Sequence, residues 1–597
     1  MECRTTGRLL VVGLLSLLSL YGAPLEAQTQ SDVGLFRSGD DALVSHNIMV
    51  PMRDGTRLST DIYVPAGGGQ YPAILIRDPY QNGSGARSWE EGLRWAKRGY
   101  AYVHQNVRGR FDSEGSWYPY LNEANDGHDT QNWVGEQPWS DGQVGTYGNS
   151  YLATTQWKGA EFRSSSLKAM IPRVTPFNYY FDTAYPGGAL ALGSRIGWAS
   201  GMGGRTGQSG NPNWDQVLMH LPLLTMGAAT SQDNPWWRDF VNHPVYDAYW
   251  AVLDSEARIP EIDVPSYNMG GWYDVFLAGT LVSYTGMVEK ARSEYARSNQ
   301  KLLIGPWPHA GNTRAFSYEG IDFGPQANVD YDTLNVKWFD ALLQGKDNGF
   351  LEEPAVTLFI MGENKWHHEN EWPIARTNYT NYYFHSGGNA NTSSGDGTLN
   401  TQEPGRSEPV DEFVYDPNDP VPTNGGNLMF GPTPPGPYDH AEIETRDDVL
   451  VFSTPPLTED VQVTGPLTVT LYASTSGRDT DFTAKLVDVH PDGKVINLID
   501  GILRGRYHNS SRSFTEFELL TPGTVYEFDI NLWATGNLFK AGHRIRVEIS
   551  SSNFPKYDRN LNTGNAPQTD TEIRTANQTI YHNAEYPSHI TLPIIPR

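Results

Sequence analysis

Between residues 45 and 172 the apolar positions come in short unbroken runs separated by stretches of helical spacing. "AILIRDPY" (Ala73 to Tyr80), "YAYVHQNVRGR" (from Tyr100) and "LKAMI" (from Leu167) have the length and composition of strands buried on both faces, each bounded by turn residues. Between the first two, "WEEGLRWAKRGY" places Trp89, Leu93 and Ala96 on one helical face and stops at Gly99. Strand, helix and strand in that order predict a parallel sheet covered by helices.

The pattern breaks at residue 173. From there to about 256 the chain is rich in Gly, Trp and Tyr ("YPGGALALGSRIGWASGMGG", "NPWWRDF"), with helical pieces such as "NWDQVLMHLPLL" and no clear strand run, which reads as an inserted helical cap. Sheet-like runs resume at "VPSYNMGGWYD" and "QKLLIGPW", followed by a helix carrying Leu334, Trp338 and Leu342 and ending near Gly345. From about 375 the period becomes two. Leu467, Val469, Leu471 and Ala473 alternate with Thr468, Thr470 and Tyr472, and "HRIRVEIS" repeats this with Ile545, Val547 and Ile549. Short alternating strands between Pro, Gly and Asn turns predict an antiparallel sandwich or jelly roll. The segment "SGGNANTSSGDG" (386–397) reads as a flexible loop. The expected partition is an α/β domain from 28–172 and 257–374, a helical cap at 173–256 inserted into it, and an all-β jelly roll at 375–597.

Length agrees, since 597 residues exceed what one core supports. The net charge of −25 argues against nucleic acid, whose phosphates demand clustered Lys and Arg. At the start, Arg4 and Arg8 precede an apolar run from Leu9 to Leu20 and a cleavage-like "PLEAQ" after Ala27. This reads as an export signal over residues 1–27, with an uncleaved anchor as the alternative. The expected location is the periplasm or the medium, off the membrane once the signal is cut. Cys3 is the only cysteine and falls within that segment, so the mature chain offers neither disulfides nor thiolate chemistry.

Candidate chemistry starts at "GTYGNSYLATTQW" (145–157). A strand to Tyr147, a tight turn at Gly148 and a helix from Leu152 would expose Ser150 at a sheet edge, with the next backbone N–H turned toward an oxyanion. Ser150 is otherwise a turn residue, and the position two after it is Leu152 rather than a second Gly. A nucleophilic serine needs a base and an acid, each on a loop after a later strand. His309 in "LLIGPWPHAGN" and Asp274 in "SYNMGGWYDVF" meet that description, and the chain order Ser150, Asp274, His309 is that of α/β-hydrolases.

With these motifs the chain resembles the cocaine esterase and X-prolyl dipeptidyl-peptidase group of serine hydrolases, which also holds α-amino acid ester hydrolases and glutaryl cephalosporin acylases. The likeness is carried by "NVRGRFDSEG", "QPWSDGQVGTYGNSY", "GGWYDVF", "GPWPH", "VTGPLTVTLYAS" and "DTDFTAKLVDVHPDG". It implies an α/β-hydrolase fold with helical cap and C-terminal jelly roll. It further implies that Ser150 is nucleophile, Asp274 acid and His309 base, with Tyr80 of "RDPYQNG" as side-chain oxyanion donor beside the N–H of Tyr151. The α-amino acid ester hydrolases carry extra carboxylates just after the acid; Val275, Phe276 and Leu277 stand there here. That departure favours an uncharged or acidic acyl group over a free amine.

Phe276, Trp307, Phe177 and Tyr180 are candidates for an apolar acyl pocket, with ordinary packing as the alternative, and Asp182 for a single charge in the cap, with plain capping as the alternative. His104 reads as a core histidine, and Asp112 and Glu114 as braces of their loop, although paired carboxylates also suit glycoside hydrolysis. "GHDT" (His128, Asp129) and "WHHEN" (His367, His368) lack metal-ligand spacing. The resulting expectation is an exported serine hydrolase of small esters, or of non-peptide amides such as acylated β-lactams, acting without metal or organic cofactor and compatible with a homo-oligomer. An X-Pro dipeptidyl-peptidase or α-amino acid ester hydrolase, and a glycan-binding or adhesive exported protein, are the alternatives.

Overall fold

The computed structural model describes residues 36–38, 41–80, 86–207, 210–230, 234–309, 317–318, 321–509 and 513–596. The export segment expected at 1–27 lies outside the described residues. The N-terminal half is built on one sheet of eleven strands. These are β1 (Phe36–Ser38), β2 (Ala42–Pro51), β3 (Arg57–Pro65), β4 (Tyr71–Asp78), β5 (Ala101–Asn106), β6 (Ser140–Asn149), β7 (Leu167–Arg173), β8 (Tyr267–Tyr273), β9 (Lys301–Pro308), β10 (Val356–Ile360) and β11 (Lys365–Glu369). Across the sheet they run β1-β2-β3-β5-β4-β6-β7-β8-β9-β10-β11. Strands β5, β4 and β6 to β10 are mutually parallel, and the strands at both ends are antiparallel.

Parallel strands covered by helices on both faces are apolar throughout. Accordingly every residue of β8 and β9 is buried. The helices Ala86–Lys97 and Tyr331–Leu343 cover one face, where Trp95, Phe339 and Trp338 pack together with strand residues Ile74, Ile171 and Leu303. On the other face Trp157 of helix Tyr151–Ala160 packs with Met170 and Met287. Because these strands share one direction, the turns after β4, β6, β8 and β9 open at the same, carboxyl edge, where open α/β sheets place their ligands.

Between β7 and β8 the chain leaves the sheet in short helical pieces, among them Leu192–Gly201, Trp214–Leu218, Pro235–Asn242 and Glu256–Glu261. Asn213 caps the second by accepting the Gln216 N–H, and Pro235 occupies the first position of the third. Such short helices are marginal alone, so aromatic packing holds them. Trp198 meets Trp236 at 5.0 Å, Trp236 meets Phe240 at 5.4 Å, and Phe240 meets Trp250 at 5.3 Å.

The C-terminal domain is all-β. Its alternating run becomes the strand Val461–Thr475, with Leu467, Val469, Leu471 and Ala473 buried, paired antiparallel to Tyr526–Phe539. Ile545, Val547 and Ile549 of Arg544–Ser550 enter the same core. The loop 386–397 is tied down more firmly than its composition suggests: the Asp396 carboxylate accepts the N–H groups of Gly387 at 2.9 Å and Asn389 at 3.2 Å.

The three parts share surfaces. Trp272 of β8 is fully buried, donates to the Phe359 carbonyl at 2.7 Å, and lies so close to Gly536 that a Cβ there would stand 2.7 Å from its ring. The next residue, Tyr273, donates to the Asn497 carbonyl of the jelly roll at 3.0 Å. Cap and jelly roll meet where Asp558 accepts the Leu190 N–H at 2.8 Å and the Pro555 carbonyl accepts the Gly193 N–H at 2.8 Å.

Candidate active site

Ser150 stands between β6 and the helix that starts at Tyr151, with φ 59° and ψ −124°. A non-glycine residue in that region costs about 1–3 kcal/mol and persists only where its surroundings impose it. Here its N–H donates to the Arg173 carbonyl of β7 at 2.9 Å, and its own carbonyl accepts the N–H groups of Ala153 and Thr154 at 2.9 and 3.0 Å. Gly148 lets the strand pass: a Cβ there would lie 2.5 Å from Cβ of Leu152. Leu152, where a second glycine was the usual expectation, instead packs against the core under the sheet. The Tyr151 N–H, at the first helical position, has no acceptor within the helix.

His309 immediately follows β9, and Asp274 immediately follows β8. Nε2 of His309 is 3.0 Å from Oγ of Ser150, and Nδ1 is 3.2 Å from Oδ2 of Asp274. The two strands approach closely at their ends, since a Cβ on Gly271 would lie 2.1 Å from the Trp307 carbonyl oxygen. Asp274 is fully buried and also accepts the Phe276 N–H at 2.5 Å, which fixes the carboxylate toward the imidazole. The Phe276 ring stands edge-on to His309 at 5.1 Å.

Tyr80 faces the same chamber as Ser150. Its hydroxyl accepts the Trp198 indole N–H at 3.2 Å, and the Asp78 carboxylate accepts its backbone N–H at 2.6 Å. Burial, helped by the charge of Asp78, pushes its phenol up to about 12 against the opposing bonds to Trp198 and Ser150, so it remains a donor at neutral pH. Its loop is fixed by Arg110 of the "NVRGR" stretch, whose Nε donates to the Pro79 carbonyl at 2.8 Å and whose Nη1 donates to the cap carbonyl of Gly204 at 2.6 Å. Behind the elbow, the Tyr151 hydroxyl donates to Glu123 at 2.8 Å, and Glu123 pairs with buried Arg77 at 2.7 Å. Arg108 braces this cluster through Asp126 at 2.7 Å.

The structure thus brings together Ser150, Asp274, His309, Tyr80, Tyr151 and Phe276. Four residues expected at a pocket lie elsewhere. Trp307 is buried beneath the sheet edge, donates to the Ala327 carbonyl at 2.6 Å and packs on Tyr331. Phe177 packs edge-on against Trp157 at 4.9 Å in the core between sheet and cap. Tyr180 turns away, stacking on Tyr185 at 5.3 Å and donating to the Pro244 carbonyl at 2.8 Å; its neighbour Tyr179 lines the chamber instead. Asp182 is a capping carboxylate that accepts the N–H groups of Phe177 and Asn178 at 3.1 and 2.8 Å. Sequence reading missed Trp198, Arg195 and Met429, which complete the chamber from the cap and the jelly roll.

The remaining candidates other than the exposed Asp112 have structural partners. His104 lies 3.3 Å from Asp78, and Glu114 binds Arg57. Arg53 joins Asp129 and His128, while His367 binds Glu363 at 2.8 Å and His368 contacts Thr357 at 3.2 Å. Among the described residues Asp488, His490 and His543 alone gather three metal-ligating atoms within 4.8 Å. There Nδ1 of His543 is already engaged by Asp488 at 2.8 Å, and Lys494 and Lys540 line the same cleft, cations that oppose a metal ion.

An α/β-hydrolase sheet, a helical cap and a C-terminal jelly roll around such a serine define a serine hydrolase of the carboxylic ester class. The model of the X-Pro dipeptidyl-peptidase (S15) family matches residues 54–311, and that of the X-Pro dipeptidyl-peptidase C-terminal non-catalytic domain matches residues 348–591. The chain is 39% identical over 581 residues to the cocaine esterase of Rhodococcus sp. (strain MB1 Bresler), covering 93% of this chain and 99% of that one. It belongs to the cocaine esterase and X-Pro dipeptidyl-peptidase (S15) family. Among solved structures, an aminopeptidase from a marine sediment Thaumarchaeota archaeon matches with TM-score 0.82 at 27% identity, covering 96% of this chain and 99% of that one. An α-amino acid ester hydrolase matches with TM-score 0.79 at 27% identity, covering 95% and 100%.

Proposed function

We propose that the protein hydrolyses small carboxylic esters, or non-peptide amides, through an acyl-enzyme on Ser150. The carrying observation is the pair of contacts from one imidazole, 3.0 Å to the Ser150 hydroxyl and 3.2 Å to Asp274. Oγ of Ser150 attacks the substrate carbonyl while Nε2 of His309 takes its proton, then returns it to the departing alcohol or amine. Asp274 holds the tautomer with the proton on Nδ1 and stabilises the imidazolium. The developing oxyanion is received by the Tyr80 hydroxyl and the Tyr151 N–H. A water activated by His309 then cleaves the acyl-enzyme and frees Ser150 for the next turnover.

The similarity to an aminopeptidase and an α-amino acid ester hydrolase favours a second reading, in which the acyl group bears a free amine. An ammonium needs a facing carboxylate, whereas Val275, Phe276 and Leu277 follow the acid and the buried cation Arg195 lines the chamber. Comparison of nitrophenyl acyl esters, glutaryl amides and X-Pro nitroanilides separates the two: esters or glutaryl amides are expected to dominate, and a dominant X-Pro activity would establish the second reading. We further infer export from the N-terminal signal; N-terminal sequencing of protein recovered outside the cytoplasm is expected to start at Gln28, and an intact Met1 on membrane-bound protein would refute this.

A further inference from the structure

Arg195 sits in the cap helix Leu192–Gly201 and is only 1% exposed. It lines the chamber that also holds Ser150, Tyr80 and Phe276. Its surroundings are neutral: Nε lies 3.4 Å from the Ser194 hydroxyl, the guanidinium carbon stands 5.7 Å from the Phe276 ring, and the nearby phenols are Tyr179 and Tyr80. Burial raises both phenols above their ordinary range, so neither supplies a negative charge. Among the described residues no carboxylate lies within ion-pair distance of it.

Among the described residues three other buried arginines are paired with carboxylates. Arg77 pairs with Glu123 at 2.7 Å, Arg504 with Asp481 and Asp558 at 2.9 Å, and Arg506 with Asp479 at 2.7 Å. Arg110, Arg173 and Arg559 lack a carboxylate: Arg110 and Arg559 are each engaged by two carbonyls, and Arg173 lies against the ring of Tyr331 at 4.7 Å. A buried cation without a counter-charge is costly, and the cost is relieved when an anion arrives with matching geometry. Guanidinium and carboxylate fit each other through paired N–H donors.

We propose that Arg195 is the counter-ion for a carboxylate carried by the substrate, so that the enzyme prefers esters or amides bearing a second, ionised carboxyl group. The side chain binds; it transfers no proton and forms no bond. This rests on the reading of Ser150 as nucleophile. The acyl part is the expected carrier of the charge, because Phe276, two residues after the acid, bridges His309 and Arg195.

The test uses two matched pairs: 4-nitrophenyl hydrogen glutarate against its methyl ester, and the butyrate ester of 4-hydroxybenzoate against that of methyl 4-hydroxybenzoate. Rates are corrected for spontaneous hydrolysis. A charge-assisted bond of about 1.5–3 kcal/mol corresponds to about a 10- to 100-fold preference in kcat/KM for the anionic member. That ratio is expected to collapse toward one in Arg195→Gln and to persist in part in Arg195→Lys. The pair that shows it tells whether acyl group or alcohol carries the charge. No preference in either pair, or one that survives Arg195→Gln, overturns the proposal. Should Arg195→Gln not fold, the wild type decides: glutarate must slow labelling of Ser150 by a neutral fluorophosphonate where pentane-1,5-diol, uncharged and without an ester bond, at equal concentration does not, and equal effects refute the proposal. Ser150→Ala stands apart as a control, since hydrolysis persisting there refutes the nucleophile and not the anion site.

Discussion

Trp198 of the cap donates its indole N–H to the hydroxyl of Tyr80 at 3.2 Å, so the orientation of a donor on the hydrolase domain is set by a residue of the inserted helices. Tyr80→Phe is expected to lower kcat on the order of 10²-fold with little change in KM, since the bond to the oxyanion matters most in the transition state. Trp198→Phe keeps an aromatic ring but removes one neutral hydrogen bond, so a smaller loss of about fivefold is expected. Steady-state kinetics on a nitrophenyl ester measures both, and a Tyr80→Phe enzyme at full rate would remove Tyr80 from the oxyanion site.

Asp274→Asn preserves shape but presents an amide to Nδ1 of His309, favouring the wrong imidazole tautomer. Loss of kcat on the order of 10⁴-fold is expected, with Tm near that of the wild type. A drop below tenfold in a folded variant would show that the 3.2 Å contact does not orient the base.

Met429, from the jelly-roll domain, lines the chamber at Ser150. Met429→Ala is expected to raise KM for long acyl esters relative to acetyl esters by about 3- to 10-fold while kcat changes little, the amount set by burial of between one and two methylene groups at about 0.8 kcal/mol each. Parallel shifts for both chain lengths would place Met429 outside the acyl path.

His582 in the jelly roll is buried, lying 2.9 Å from Asp411 and 3.5 Å from Glu408. Burial alone lowers its proton affinity, but the bond and charge of Asp411, with Glu408, outweigh it and raise the folded value above the ordinary 6.5. The stability this supplies is complete below the unfolded pKa and is lost as pH rises through the folded one. Thermal unfolding of wild type and His582→Asn between pH 5.5 and 8.5 is therefore expected to show the two Tm values converging as pH rises; divergence would contradict the direction of the shift.

The convergence of Ser150, Asp274 and His309 was legible in the sequence because each lies at the end of an apolar run whose turn residues announce it: Gly148 before Ser150, and the ends of "SYNMGGWY" and "LLIGPWP" before Asp274 and His309. The pocket was not. Trp307 and Tyr180 share the aromatic character of Trp198 and Tyr179, and only tertiary packing decides which ring turns toward the chamber. Arg195 was invisible for a different reason: it is the only charged residue of the helix Leu192–Gly201, and an arginine there reads as exposed until the chain is folded. Met429 reaches Ser150 from 279 positions away in sequence through a domain interface that no local pattern encodes.

The most direct measurement treats purified protein with a fluorophosphonate, digests it and locates the adduct by mass spectrometry. A single adduct on Ser150 is expected, absent from Ser150→Ala and strongly slowed in His309→Ala. An unlabelled Ser150 in protein that still hydrolyses esters, or labelling at equal rate without His309, would contradict a serine activated by that imidazole.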